Sequence, residues 1–235
     1  MYNLFKNFIT IGLIDFSHLI LKKFCTYKKI CTFDNIARWF YIHALCNLLI
    51  TYYSYDDALK CINSSNCYEI KWNNNSYNTY YLASLLHIYH CIFFKLKFDD
   101  YLHHFLMVVL CGTFSIYMKS IISSLALFFL CGLPGFLDYV LLFLVKLNLV
   151  NKLTEKYIYL YISLYLRSPG CLLTVIIGSL SLKNLNQMEY IILLNTILLI
   201  FWNGQYYLNQ SCISYYNNLY KNKIKTNDNG KFIIE

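Results

Sequence analysis

The sequence predicts an all-α integral membrane helix bundle, with six core transmembrane helices and a seventh candidate at the N-terminus. Three observations carry that reading. Apolar residues make up 58% and charged residues 14% of the chain, against roughly 45–50% and 25% in soluble domains. The apolar residues fall into segments of about 20, the length that crosses a hydrocarbon core. The lysines gather between those segments rather than on one basic face, as in the loops of a membrane protein. The net charge of +8 therefore calls for no nucleic-acid partner.

The first apolar stretch, residues 3–21, is amphipathic enough to span or to lie on the surface. It contains Lys6, Asp15 and His18, and no small-residue cleavage site follows it. No cleavable signal peptide is expected. Spans follow at residues 36–54, 76–95 and 102–118. The segment 120–146 is interrupted at Gly132-Leu133-Pro134-Gly135, so it is one kinked span or a broken one. Residues 157–182 carry Pro169-Gly170 as a kink, and 190–208 form the last span. The organisation is an N-terminal segment with a basic loop (1–35), a membrane domain (36–213) and a basic tail (214–235).

Charge sets the orientation. Fourteen basic residues, among them Lys22, Lys23, Arg38, Lys146, Lys152 and Lys156, fall on one side, against only Lys60, Lys71, Lys119 and Lys183 on the other. By the positive-inside rule the first side, with the C-terminus, is cytosolic. The loop 55–75 is then lumenal. It holds two glycosylation sequons, at Asn63 and Asn74, and the pair Cys61/Cys67, which can persist as a disulfide there. The other cysteines are scattered and mostly in spans, where thiols behave as small apolar groups. No spacing suits zinc or haem. Six histidines without an HxxHH cluster do not suit a di-iron centre. No metal and no resident cofactor are expected.

The polar residues inside the spans are asymmetric in depth. At about 1.5 Å per residue, His43, His87, His90, His103, His104, Asp138, Arg167 and Asn203 all fall in the cytosolic half. Ionisable groups at membrane depth face a polar interior rather than lipid, so the expectation is a cavity open toward the cytosol. Asp138 and Arg167 lie at similar depth and are candidate partners. Asp99 and Asp100 precede His103 and His104 by four residues. In a helix starting at Phe98 each carboxylate shares a face with one imidazole, raising its basicity and fixing its tautomer. Structural roles stand beside these. His43, His87 and His90 suit interhelical hydrogen bonding, and Asp99 and Asp100 suit a solvated helix N-terminus. Arg167 suits a structural role or a headgroup or acyl-carrier phosphate.

Four features then resemble the TLC-domain family of ceramide synthases, translocating-chain-associating proteins and ceroid-lipofuscinosis-related proteins. They are His103-His104-Phe105 after acidic residues, the helix from Gly135 through Asp138, Tyr165-Leu166-Arg167-Ser168-Pro169, and Phe201-Trp202-Asn203 before a basic tail. The resemblance implies a multi-pass protein of the endoplasmic reticulum acting in lipid homeostasis, by binding, sensing or transporting a membrane lipid. In the synthase branch, His103, His104 and Asp138 would catalyse transfer of an acyl chain from acyl-CoA, as co-substrate, to a sphingoid amine. His87, His90, Asp99, Asp100, Arg167 and Asn203 would bind lipid. The acidic helix here has one carboxylate where synthases have more, and the acidic lead-in is shorter, which places the chain nearer the small non-synthase members. A third reading is an insertion partner for membrane proteins. The lipid and any homo-oligomer stay open.

Overall fold

Seven helical rods account for nearly all of the described residues, 2–27, 34–96 and 98–227 of this computed structural model. The side chains of residues 25–27, 99, 100, 103, 184 and 222–227 lie outside the description. The rods are α1 (Tyr2–Tyr27), α2 (Asn35–Asn63), α3 (Asn74–Phe93), α4 (98–118), α5 (Ile122–Lys146), α6 (Lys152–Ser181) and α7 (Gln187–Asn227). Among the described residues there is no strand, only an isolated bridge between Lys71 and Ser120.

Four rods are long and apolar enough to cross a membrane: α1 over Tyr2–Phe24, α5, α6, and α7 over Gln187–Lys221. The segments expected to span at 36–54, 76–95 and 102–118 do not reach that mark; the apolar part of α4, Phe105–Met118, is short. The reason for α2 and α3 is visible in their buried faces. α2 buries His43, Asn47, Ser54 and Asp57, and α3 buries Asn78, Thr79 and His90. Polar groups turned inward lower a helix's hydropathy without meeting lipid. The outside is apolar: Phe5, Phe8, Leu13, Phe16 and Ile20 of α1 are 61–65% exposed, the surface that hydrocarbon rather than water would cover.

α2 is the hub, packing on α1, α3 and α5, with Ile42, Cys46 and Ile50 fully buried. α1 runs antiparallel to α2 and parallel to α3. Asn7 Nδ2 donates to Asn78 Oδ1 at 3.0 Å near one end, and Ser17 and Tyr41 share a hydroxyl hydrogen bond of 2.9 Å near the other. Asp15 accepts from Arg38 Nε at 2.8 Å, from Arg38 Nη2 and from the Tyr89 hydroxyl, so three helices meet at one carboxylate. These bonds seat α1 as part of the bundle, where the sequence left it between spanning and lying flat.

The expected interruptions are resolved without a break. α5 is continuous through Pro134 and α6 through Pro169, each with a π-helical turn just before the proline, Phe128–Gly132 and Ser163–Arg167. A proline cannot donate to the carbonyl four residues back and clashes with it; widening the preceding turn accommodates both. A third π segment, Phe105–Cys111, follows His104 in α4. Glycine permits the tightest crossing: a Cβ on Gly170 would sit 2.0 Å from the Phe129 ring.

At the end away from most of the lysines, α2 stays helical to Asn63, so the first part of the expected 55–75 loop is helix. Cys61 and Cys67 form a disulfide. The buried Asp57 carboxylate holds the turn by accepting from Ser76 Oγ (2.6 Å) and Asn73 Nδ2 (2.8 Å). Trp72 Nε1 donates to the Ser120 carbonyl (2.8 Å) and to Ser123 Oγ (2.9 Å), tying the loop to the α4–α5 connection. At the basic end, Lys146 pairs with Asp34 at 3.5 Å. The tail expected from residue 214 begins as a continuation of α7, which runs unbroken to Asn227.

Candidate functional site

Six of the seven helices, all but α1, line one polar chamber of about 170 Å³ toward the basic end of the bundle. The volume holds a few waters or a small headgroup. α2 contributes His43 and Asn47, α3 His87 and His90, and α4 His104. α5 contributes Asp138 and Tyr139, α6 Tyr159 and Arg167, and α7 Asn203 and Tyr207. The structure thus brings together His87, His90, His104, Asp138, Arg167 and Asn203. The backbone of Phe98–His104 is helical from Phe98. The side chains of Asp99, Asp100 and His103 lie outside the described residues.

The four imidazoles fall into two arrangements. His43 and His90 belong to a column of stacked rings. Tyr139 lies 4.1 Å from His43, His43 3.9 Å from His90, and His90 4.5 Å from Trp39, centroid to centroid and within 22° of parallel. This column knits α2, α3 and α5, the interhelical role that the sequence allows for those histidines. His87 and His104 meet edge-on at 4.9 Å. Their tautomers are set by backbone carbonyls: His87 Nδ1 is 2.6 Å from the Ala83 oxygen, and His104 Nδ1 is 3.0 Å from the His87 oxygen. A carbonyl only accepts, so Nδ1 carries the hydrogen and Nε2 is the basic nitrogen of each neutral ring. The same logic holds for His43, whose Nδ1 is 2.8 Å from the Trp39 carbonyl.

Arg167 is 6% exposed. Its Nη1 donates to the Tyr159 hydroxyl at 3.2 Å, and its guanidinium lies 4.9 Å from the Tyr207 ring centroid. Its Nε has no hydrogen-bond partner. Asp138 lines the same chamber, but no ion pair within 4.0 Å joins it to Arg167. The expected partnership is therefore one of charge across shared space, not a contact ion pair. Gln205 turns away and donates to Ser168 Oγ at 3.2 Å. Glu155, buried at 1% exposure, is taken by Lys156 at 3.1 Å.

All three π segments border this chamber. His104 immediately precedes the first, Leu130 and Cys131 belong to the second, and Arg167 ends the third. Such turns re-aim side chains relative to a regular helix and concentrate at functional sites. The sequence carried a partial signal for them in Pro134 and Pro169. Tyr139, Tyr159 and Tyr207 went unnoticed, because a chain with 24 tyrosines gives no reason to single out three. Below the polar chamber, under α4, lies a narrow apolar pocket of about 70 Å³. It shares His87, Met107 and Leu130 with the chamber and continues past Ala83, Leu127 and Ile197 toward the disulfide end. Among the described residues, no group of three or more His, Cys, Asp or Glu side chains is arranged to hold a metal ion. No protein family, curated protein or solved structure matches this chain.

Proposed function

We propose that this chain is a multi-pass membrane protein of lipid homeostasis that holds a membrane lipid inside the bundle. Its site opens toward the cytosol in a membrane such as the endoplasmic reticulum. The observation that carries this is the adjacency of a polar chamber and an apolar pocket that share His87, Met107 and Leu130 as walls. A cavity with one wet end and one oily end suits an amphiphile, whose polar head and chain each need their own solvent. The order of His103-His104-Phe105, Asp138, Arg167 and Asn203 along the chain supports the TLC-like reading, with six core spans and α1 as a seventh. Photoactivatable acyl lipids in microsomes should label peptides of α3 and α4 that line the cavity. Labelling confined to the outer face of α1 would contradict the proposal.

The alternative reading is an acyl-CoA-dependent N-acyltransferase. The fixed tautomers of His87 and His104 favour it, since a basic Nε2 in a chamber with Asp138 can act as general base or as acyl acceptor. Labelled acyl-CoA and sphingoid base, with wild type compared against His103→Ala/His104→Ala at equal protein level, decide it. Product that disappears in the variant supports an enzyme. No product above background leaves the lipid-holding role alone.

A further inference from the structure

Among the described residues, Arg167 is the one chamber cation that is permanently charged, and its hydrogen bonding is unfinished. Of its five N–H donors, one reaches a neutral phenol and the buried Nε reaches nothing. A guanidinium held at 6% exposure is costly to keep without an oxyanion in contact, and neither nearby carboxylate supplies that contact. Glu155 pairs with Lys156, and Asp138 acts on the guanidinium through its charge without a contact ion pair or a hydrogen bond. The planar fork of an arginine matches carboxylate and phosphate oxygens two at a time. Tyr159 and Tyr207 wall the guanidinium, so a ligand reaches it from the chamber side.

The second compartment limits the rest of the ligand. The apolar pocket is narrow, and at Gly112 an added Cβ would already lie 3.2 Å from the Tyr80 hydroxyl. Measured along α3 from His90 to Tyr80, the polar-to-apolar path is about 15 Å long. A pocket of about 70 Å³ leaves room for one chain rather than two side by side. Building on the lipid-holding reading above, we infer that the ligand is a single-chain anionic amphiphile. Its oxyacid group is bound by Arg167 and its one hydrocarbon chain runs under α4. The imidazoles and Asp138 share the chamber and can exchange a proton with the ligand's acid group, so the added negative charge is not left uncompensated.

The test uses the full chain in nanodiscs of zwitterionic lipid and reads displacement of a fluorescent single-chain acid. Competitors are a long-chain fatty acid, the lysophosphatidate, the fatty alcohol and the lysophosphatidylcholine of equal chain length, and inorganic phosphate. The fatty acid or the lysophosphatidate should compete at least about tenfold better than the uncharged alcohol and the zwitterion. Which of the two wins identifies a carboxylate or a phosphate head. Arg167→Gln should erase the advantage of the acid over the alcohol. Equal competition by acid and alcohol in the wild type, a comparison that needs no variant, would overturn the anionic assignment and leave the lipid-holding reading intact. Competition by inorganic phosphate alone at the same concentration would overturn the single-chain part. No displacement by any amphiphile would remove both.

Discussion

The carboxylate of Asp15 carries the attachment of α1, and its contribution can be worked out from the geometry. Arg38 approaches it with two nitrogens and Tyr89 with a hydroxyl, while Arg38 also donates to the Tyr89 hydroxyl at 3.1 Å. The two charged side chains are 22% and 16% exposed. An exposed pair contributes less than about 1 kcal/mol, and breaking a fully buried one costs about 3–5 kcal/mol. Arg38→Ala should therefore cost about 2 kcal/mol, chiefly because Asp15 loses its counter-charge in a poorly hydrated place. For a chain of this size that lowers the midpoint of thermal unfolding by about 4–8 °C. The assay is scanning fluorimetry in one detergent for wild type, Asp15→Ala, Arg38→Ala and the double variant. The double variant should lose less than the sum of the singles by about 1–2 kcal/mol. Additivity to within about 0.5 kcal/mol would refute the argument that this contact seats α1.

Three further outcomes follow from other contacts. Gly170→Val places side-chain atoms inside the Phe129 ring's space and should cost about 1–3 kcal/mol, read as a lowered unfolding midpoint with the fold retained by circular dichroism. Trp72→Phe removes both donations to Ser120 and Ser123 and should cost about 1–2 kcal/mol, read as a lowered unfolding midpoint. Cys61→Ser/Cys67→Ser opens a short loop, six residues apart in sequence, and should cost about 2 kcal/mol. Reductant should lower the wild-type midpoint by a similar amount and leave the double variant unmoved.

Hydropathy and loop charge made the helical class legible, because period and composition report directly on what must face lipid. They favoured 36–54, 76–95 and 102–118 as spans over 3–21, whereas the apolar length mark is met by α1 and not by those three. α1 is more apolar than α2 and α3, since the central helices turn their polar groups inward and only packing shows where those groups go. Depth counting placed His87, His90, His104, Asp138, Arg167 and Asn203 in one layer, and the chamber contains all six. Depth is a property of the helix rise and therefore readable in sequence. Azimuth is not, so the lack of a contact pair between Asp138 and Arg167 and the separation of stacked from edge-on histidines needed three-dimensional contacts. The latch formed by Asp57, Asn73 and Ser76 was likewise hidden, because an Asp in a loop-like stretch looks solvated until its helix is seen to extend to Asn63.

The most direct test of the account is native mass spectrometry of the full chain released from its own membrane in mild detergent. It would compare wild type with Leu130→Trp, which fills the junction between the polar chamber and the apolar pocket. One amphiphile should be bound per wild-type chain and none on a Leu130→Trp variant of matching unfolding midpoint. A wild-type chain that carries no amphiphile above an unrelated membrane protein, or a variant that keeps it, would contradict the claim that the cavity holds a lipid.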